Sequence, residues 1–328
     1  MTTYPKKNQT AHPSLLPINP YKPWLAPLAG FSDLPFRLLC REYGCAAAFT
    51  EMISAKGLVY QTRNTLELLK TSPEDHPLVV QIYGSEPQTI YQAMQILLDL
   101  GYEYFDLNCG CSVKKVIKTG SGAALLNNIS LLEEMANIMI QAAGSGNSGI
   151  KIRLGWNMDN QVYTDLAGRL ENSGIGWITL HPRTATQLFG GTARWSALKI
   201  LKDSCSIPVV ASGDLFSAEE GLNCVSQTGV DNIMFARGAL NDPSIFTKYI
   251  RLLQKDFSFA SDMKHLKEMC FKTITYYQEY YPAPKAILKM RTVLPRMIRQ
   301  SSGAKELRKA IVMSKDWRTI ENIISQIA

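Results

Sequence analysis

Cys111 stands in the run Asn108-Cys109-Gly110-Cys111-Ser112-Val113-Lys114-Lys115, with further glycines at 120 and 122. A thiol on a glycine-rich loop beside two lysines can act as a proton donor or a nucleophile. The C-x-C spacing by itself does not make a zinc site: no second cysteine pair and no HxxxH accompany it, and no metal is expected. Two other runs have the makings of an oxyanion site. Ser212-Gly213-Asp214 and Ala236-Arg237-Gly238 combine glycines, which let backbone amides approach an anion, with an arginine fork of donors. Lys151 lies in the apolar run Ile150-Lys151-Ile152-Arg153. A lysine on a core strand needs an anionic partner. That partner is either a bound group such as the anionic edge of a reduced flavin, with Gln81 as a neighbouring amide, or a carboxylate across the barrel mouth such as Glu51.

These groups need a scaffold that brings them together. Eight short apolar runs, at 24–26, 47–50, 78–82, 104–108, 150–153, 177–181, 208–211 and 232–235, alternate with helical stretches at 35–43, 87–100, 130–143, 164–172, 218–227 and 243–253. Strands alternating with helices imply a parallel sheet, and eight such units predict a closed α/β structure, a (β/α)8 barrel of the TIM type. An open doubly wound sheet would begin with a glycine-rich dinucleotide turn; the first strand is followed instead by Pro27-Leu28-Ala29-Gly30. In a barrel the chemistry sits at the carboxyl ends of the strands. Those ends read Pro27, Glu51, Gln81, Asn108, Lys151, His181, Ser212-Gly213-Asp214 and Ala236-Arg237-Gly238. The last two are the loops that commonly bind phosphate in this architecture.

Beyond 253 the strand-like runs cease. Residues 255–328 read as a small all-helical domain, broken near Tyr281-Pro282-Ala283-Pro284 and Ser301-Ser302-Gly303. The expected organisation is a flexible tail over 1–20, a barrel over 21–254 and the helical domain over 255–328. The chain's net charge is +7, and all of that excess lies in the last segment, with 14 basic and 7 acidic residues. Such a surface is either a solvated helical face or a contact for a polyanion. The N-terminus lacks the apolar core of a signal peptide, no run approaches a membrane span, and seven cysteines without a regular framework suit reduced thiols. A cytoplasmic protein without membrane contact is expected.

The segments APLAGFSDLPFR (26–37), TEMISAKGL (50–58), VVQIYGSEP (79–87), FDLNCGCSVKKV (105–116), KIRLGW (151–156), ITLHPRTATQLFGG (178–191), IPVVASGDL (207–215) and DNIMFARGAL (231–240) together resemble the tRNA-dihydrouridine synthases, above all the bacterial B-type subfamily. The resemblance continues more weakly through MRTVLPRMIRQSSGAKELRKAI (290–311) into what would be the family's RNA-binding domain. It implies an FMN enzyme that reduces uridines in tRNA with NADPH, acting as a monomer. By that resemblance Pro27, Leu28 and Ala29 lie along the flavin, and Gln81, Lys151 and His181 contact its ring. Ser212, Gly213, Asp214, Ala236 and Arg237 hold its phosphate. Cys111 is the acid that protonates uracil C5, Asn108 stands beside it, and Arg183 faces the tRNA.

The chain departs from the family pattern in several places. Ser112 replaces a proline after the cysteine, Ser212 an asparagine, Ala236 a glycine, Val293 a histidine and Arg296 a tryptophan. Two rivals are a barrel flavoenzyme acting on a free small molecule, as the dihydroorotate dehydrogenases do, and a tRNA-binding protein without catalysis. The basic tail weighs against the first. Cys111, Lys151 and His181 together weigh against the second.

Overall fold

The computed structural model describes residues 16–258, 262–299, 301 and 303–327. Nine parallel strands form the barrel: β1 (Trp24–Leu25), β2 (Ala47–Phe49), β3 (Ile53–Ser54), β4 (Leu78–Tyr83), β5 (Tyr104–Cys109), β6 (Ser148–Arg153), β7 (Trp177–His181), β8 (Val209–Ala211) and β9 (Asn232–Phe235). β1 pairs with both β2 and β9, which closes the sheet. β2 and β3 both pair with β4, so they are one barrel strand interrupted at Thr50-Glu51-Met52. The barrel is therefore eight-stranded, as the alternation of runs predicts. The strand break was not anticipated.

Alternation along each strand separates two cores. Side chains pointing outward, such as Val80, Phe105, Leu107, Cys109, Ile150 and Ile178, pack under the surrounding helices. Those pointing inward, among them Trp24, Phe49, Val79, Tyr104, Trp177 and Met234, fill the barrel. Gly149 is needed there, because a Cβ at that position would lie 2.0 Å from the Trp177 ring. Leu16 packs into the same inner cluster, and the Pro17 carbonyl accepts from Trp24 Nε1 at 2.9 Å. Residues 16–20, expected to belong to a free tail, thus close the amino end of the barrel. Residues 1–15 of that expected tail lie outside the described residues.

The last quarter is helical: Met263–Tyr280, Ala283–Met297, Ala304–Met313 and Trp317–Ser325. Its apolar side chains, including Met269, Ile274, Met290 and Leu294, join the core beneath the barrel's helices. Polar contacts fix the docking. The Tyr277 hydroxyl donates to Asp33 at 2.8 Å, Lys289 pairs with Asp33 at 2.8 Å, and Lys285 pairs with Glu67 at 3.1 Å. Lys272 pairs with Glu42. Part of the tail's positive charge therefore anchors it to the barrel. Arg299, Lys305, Arg308, Lys309, Lys315 and Arg318 remain exposed or half-exposed. No helix among the described residues is long and apolar enough to cross a membrane.

Candidate active site

A cavity of about 290 Å³ opens at the carboxyl ends of the strands. Pro27, Leu28, Ala29, Gln81, Asn108, Cys111, Lys151, His181, Ser212, Gly213, Asp214, Ala236 and Arg237 all line it. Of the residues assigned a role from the sequence, only Arg183 does not. The strand register explains the convergence. It sets Gln81 beside Asp106, Asn108 beside Lys151 and Arg153 beside His181.

The Cys111 loop is held from three sides. Its amide donates to Asn108 Oδ1 at 3.0 Å, its carbonyl accepts from Ala123 N at 2.9 Å, and the Gly110 carbonyl accepts from Arg153 Nε at 2.8 Å. These bonds fix the backbone on both sides of Cys111; the Ser112 hydroxyl is buried without a partner among the described residues. Cys111 is partly exposed on the cavity, whereas Cys109 is 0% exposed and packs outward beneath the helices. The two thiols therefore face different layers, which a C-x-C chelate could not do.

The electrostatics favour an anion. Burial, together with the charges of Lys151, Arg153, Arg183 and Arg237, holds the His181 imidazole well below its usual range, so it is neutral at physiological pH. Against those four cations stand two carboxylates, Asp106 and Asp214. Burial lowers Lys151 to about 8, against the opposing pull of Asp106. Glu51, the alternative partner considered for Lys151, instead accepts from the Gly30 amide and lies 3.9 Å from Lys289. Gly213, at φ +132°, has no room for a side chain: a Cβ would come within 2.5 Å of the His181 ring.

Two of the site residues have partners that the sequence did not suggest. Arg183, expected to face a nucleic acid, is 2% exposed. Its guanidinium forks onto Asp214 at 2.9 and 2.7 Å and donates to the carbonyls of Gly190 and Gly191. These bonds tie the Gly190-Gly191 turn to Asp214. Asp214, expected to hold a phosphate, spends its carboxylate on Arg183, on Arg237 (3.3 Å) and on the Ala193 amide. That carboxylate is placed to orient Arg237.

Four groups at this site carried no assignment from the sequence. Arg153 donates to Gly110, Thr184 (2.9 Å) and Leu188 (2.7 Å) and so ties two loops together. Asp106 lies fully buried and acts on Lys151 as its counter-charge. Phe189, 62% exposed, stands over the guanidinium of Arg237 at 5.0 Å, which is itself 4.7 Å from the Phe216 ring. Strand alternation was a usable signal for two of them, since Arg153 follows Lys151 and Asp106 precedes Asn108 by two residues. The contacts of Phe189 and Phe216 join distant loops and left no local trace.

A closed parallel barrel whose strand-end cavity gathers cations, a neutral imidazole and a loop thiol defines an enzyme site for an anionic ligand. The family model for dihydrouridine synthase (Dus) matches residues 24–326, and the chain belongs to that family. It is accordingly a flavin-dependent oxidoreductase. The tRNA-dihydrouridine synthase B of Pasteurella multocida is 34% identical over 258 residues, covering 79% of this chain and 77% of that protein. Its counterpart in Pseudomonas aeruginosa is 36% identical over 222 residues, 68% and 67% of the two chains. These relatives agree with the B-type resemblance. Among solved structures, an old yellow enzyme homologue from Zymomonas mobilis shares the fold at a TM-score of 0.53 and 12% identity, covering 84% of this chain and 98% of that one.

Proposed function

We propose that the protein reduces the C5–C6 double bond of uridines in tRNA, with FMN in the barrel cavity, NADPH as reductant and Cys111 as proton donor. The observation that carries this reading is the presence of Cys111 and Lys151 on the wall of one cation-rich cavity, with Cys109 turned away. The residues suit an anionic cofactor. Pro27, Leu28 and Ala29 offer an apolar wall, and Gln81, Lys151 and His181 offer polar groups to a ring. Ser212, Gly213, Ala236 and Arg237 offer a phosphate cradle that Asp214 orients from behind. When bound, the flavin supplies hydride to uracil C6.

The chain's own residues do the rest. Lys151 places positive charge where anionic charge gathers. His181 stays neutral, so it donates or accepts one hydrogen bond without adding charge. Arg153 and Asn108 hold the loop from which Cys111 Sγ delivers its proton to C5. A base must leave its stack to reach this depth, and Phe189 stands exposed at the rim. The exposed arginines and lysines of the last helices would grip the RNA backbone by charge and shape.

The purified protein should release FMN, identified by mass, and should convert uridine in unmodified tRNA to a nucleoside two mass units heavier when NADPH is supplied. Recovery of FAD, or unaltered tRNA with a flavin-loaded protein, would sink the proposal.

The tail's two sets of cations should separate by substitution. Arg308→Ala with Lys309→Ala should weaken tRNA binding and make its salt dependence shallower, by roughly one in slope for each phosphate no longer neutralised. Lys272→Ala and Lys285→Ala should lower thermal stability slightly, as exposed ion pairs do, and leave that slope alone. An unchanged slope in the first pair would move the RNA surface elsewhere.

A further inference from the structure

Asp106 neither lines the cavity nor, in the scheme above, meets the reacting atoms, yet it is fully buried inside the barrel. Each carboxylate oxygen accepts one hydrogen bond, Oδ1 from Trp177 Nε1 at 3.2 Å and Oδ2 from Gln81 Nε2 at 2.7 Å. Gln81 Oε1 accepts from Asn108 Nδ2 at 2.7 Å. Asn108 Oδ1 accepts from the amides of Cys111 at 3.0 Å and Gly110 at 3.3 Å. An unbroken chain thus runs from the middle of the barrel to the Cys111 loop.

Its direction is imposed from one end. A carboxylate only accepts, whereas the two ends of a glutamine or asparagine amide are nearly equal in shape and can exchange places. With Asp106 ionised, Gln81 must turn its NH2 downward and its oxygen toward Asn108. Asn108 must then turn its NH2 toward Gln81, which leaves its oxygen for the two loop amides. Turned the other way, Asn108 would present donors to donors. Burial pushes this carboxyl up to about 7, while the Gln81 donor, the charge of Lys151 and the Trp177 donor pull toward the ionised form, so Asp106 imposes this direction above that pH.

We infer that Asp106 is a positioning residue: it fixes the polarity of the two amides above it and so holds the Cys111 loop in the geometry from which the thiol acts. The inference rests on the reading of Cys111 as the proton donor, but the loop's order can be measured apart from any reaction.

Asp106→Asn keeps the shape and adds an NH2 group. If that group faces Gln81, both amides above it turn over, and Asn108 meets the loop amides donor against donor. If it faces Trp177, the conflict arises there instead. Trp177→Phe removes the lower donor. In the double variant the new NH2 can face the space vacated, its oxygen faces Gln81, and the original polarity returns. A role limited to charge or packing predicts no such rescue.

Hydrogen–deuterium exchange of the 109–113 segment, on the full chain with its flavin, reads the loop directly. Single-turnover reduction of unmodified tRNA by pre-reduced enzyme reads its consequence. Asp106→Asn should speed exchange at the Gly110 and Cys111 amides and slow the single turnover, each by about tenfold, the population shift expected from one net hydrogen bond. Adding Trp177→Phe should bring both back toward wild type. Wild-type exchange at those amides in Asp106→Asn overturns the inference, and so does a folded double variant that exchanges as fast as the single one. If the double variant does not fold, the single-variant exchange decides. Wild-type enzyme that leaves tRNA unaltered while Asp106→Asn still loosens the loop would count against the substrate, and the positioning role would stand.

Discussion

Cys111→Ala should reduce tRNA turnover by about 10²–10⁴-fold, the range lost with a positioned general acid, while flavin binding and oxidation of NADPH stay close to wild type. The division follows from the geometry. The loop is fixed through backbone atoms, the Cys111 amide on Asn108 and the Cys111 carbonyl on Ala123. Removing Sγ therefore leaves those bonds intact. Cys109→Ala is the internal control. That thiol is buried beneath the helices, where burial pushes it well above its ordinary range and leaves it no path to the cavity. Its removal should cost some packing and no chemistry. Single-turnover reduction by pre-reduced enzyme compares the two variants. A dead Cys109→Ala beside an active Cys111→Ala would reassign the acid, and two active variants would remove cysteine from the protonation step.

The barrel was legible because its strands announce themselves: β-rich apolar runs of three to five residues separated by helical stretches allow few other arrangements. The cavity was legible for the same reason, since the residues that end those strands are polar where a core strand should not be. The break at Thr50-Glu51-Met52 was not, because it depends on β4 continuing past the point where β2 stops pairing. The burial of Arg183 was hidden for a related reason. Its position after a strand suggests a surface loop, but its partner Asp214 is 31 residues away and the carbonyls it holds belong to a loop that folds back over it. Asp106 was hidden differently. An acidic residue at an inward position of β5 becomes intelligible only when Gln81 on the preceding strand and Trp177 two strands on are seen to donate to it.

The tail shows how a charge total misleads when taken whole. The excess of basic residues pointed to a polyanion, yet Lys272, Lys285 and Lys289 are committed to barrel carboxylates. With its apolar side chains part of the core beneath the barrel's helices, the tail cannot be removed without exposing that core. Its role is better separated by surface substitutions than by truncation.

Lys151→Met should weaken FMN binding by about 1.5–3 kcal/mol, the cost of one charge-assisted hydrogen bond, and should also extend to higher pH the range over which stability falls. Lys151 and Asp106 are each other's counter-charge inside the barrel. Burial pushes Asp106 up to about 7, even with Gln81, Lys151 and Trp177 pulling it down. Without the lysine it rises further. A carboxyl that holds its proton more tightly folded than unfolded is at no disadvantage below its unfolded value near 4. Its ionisation removes stability as pH climbs from there to the folded value, at about 1.4 kcal/mol for each unit of separation. Lys151, lowered to about 8 by burial, is largely charged below that value in wild type. Its own contribution is therefore nearly flat below about 7, where Asp106 keeps its proton in both folded proteins and the two stability curves run parallel; they separate above 7, where wild-type Asp106 has ionised and the variant's has not. Thermal unfolding of Lys151→Met should thus track the wild-type pH dependence from about 5 to 7 and fall away from it as pH rises from about 7 toward 8. Adding Asp106→Asn should remove the decline itself, from about pH 5 upward, without restoring FMN affinity, which separates the lysine's service to the fold from its service to the cofactor. Unfolding curves that stay parallel above about pH 7 as well would show that the two groups do not share a charge, and wild-type FMN affinity in Lys151→Met would place the cation away from the flavin.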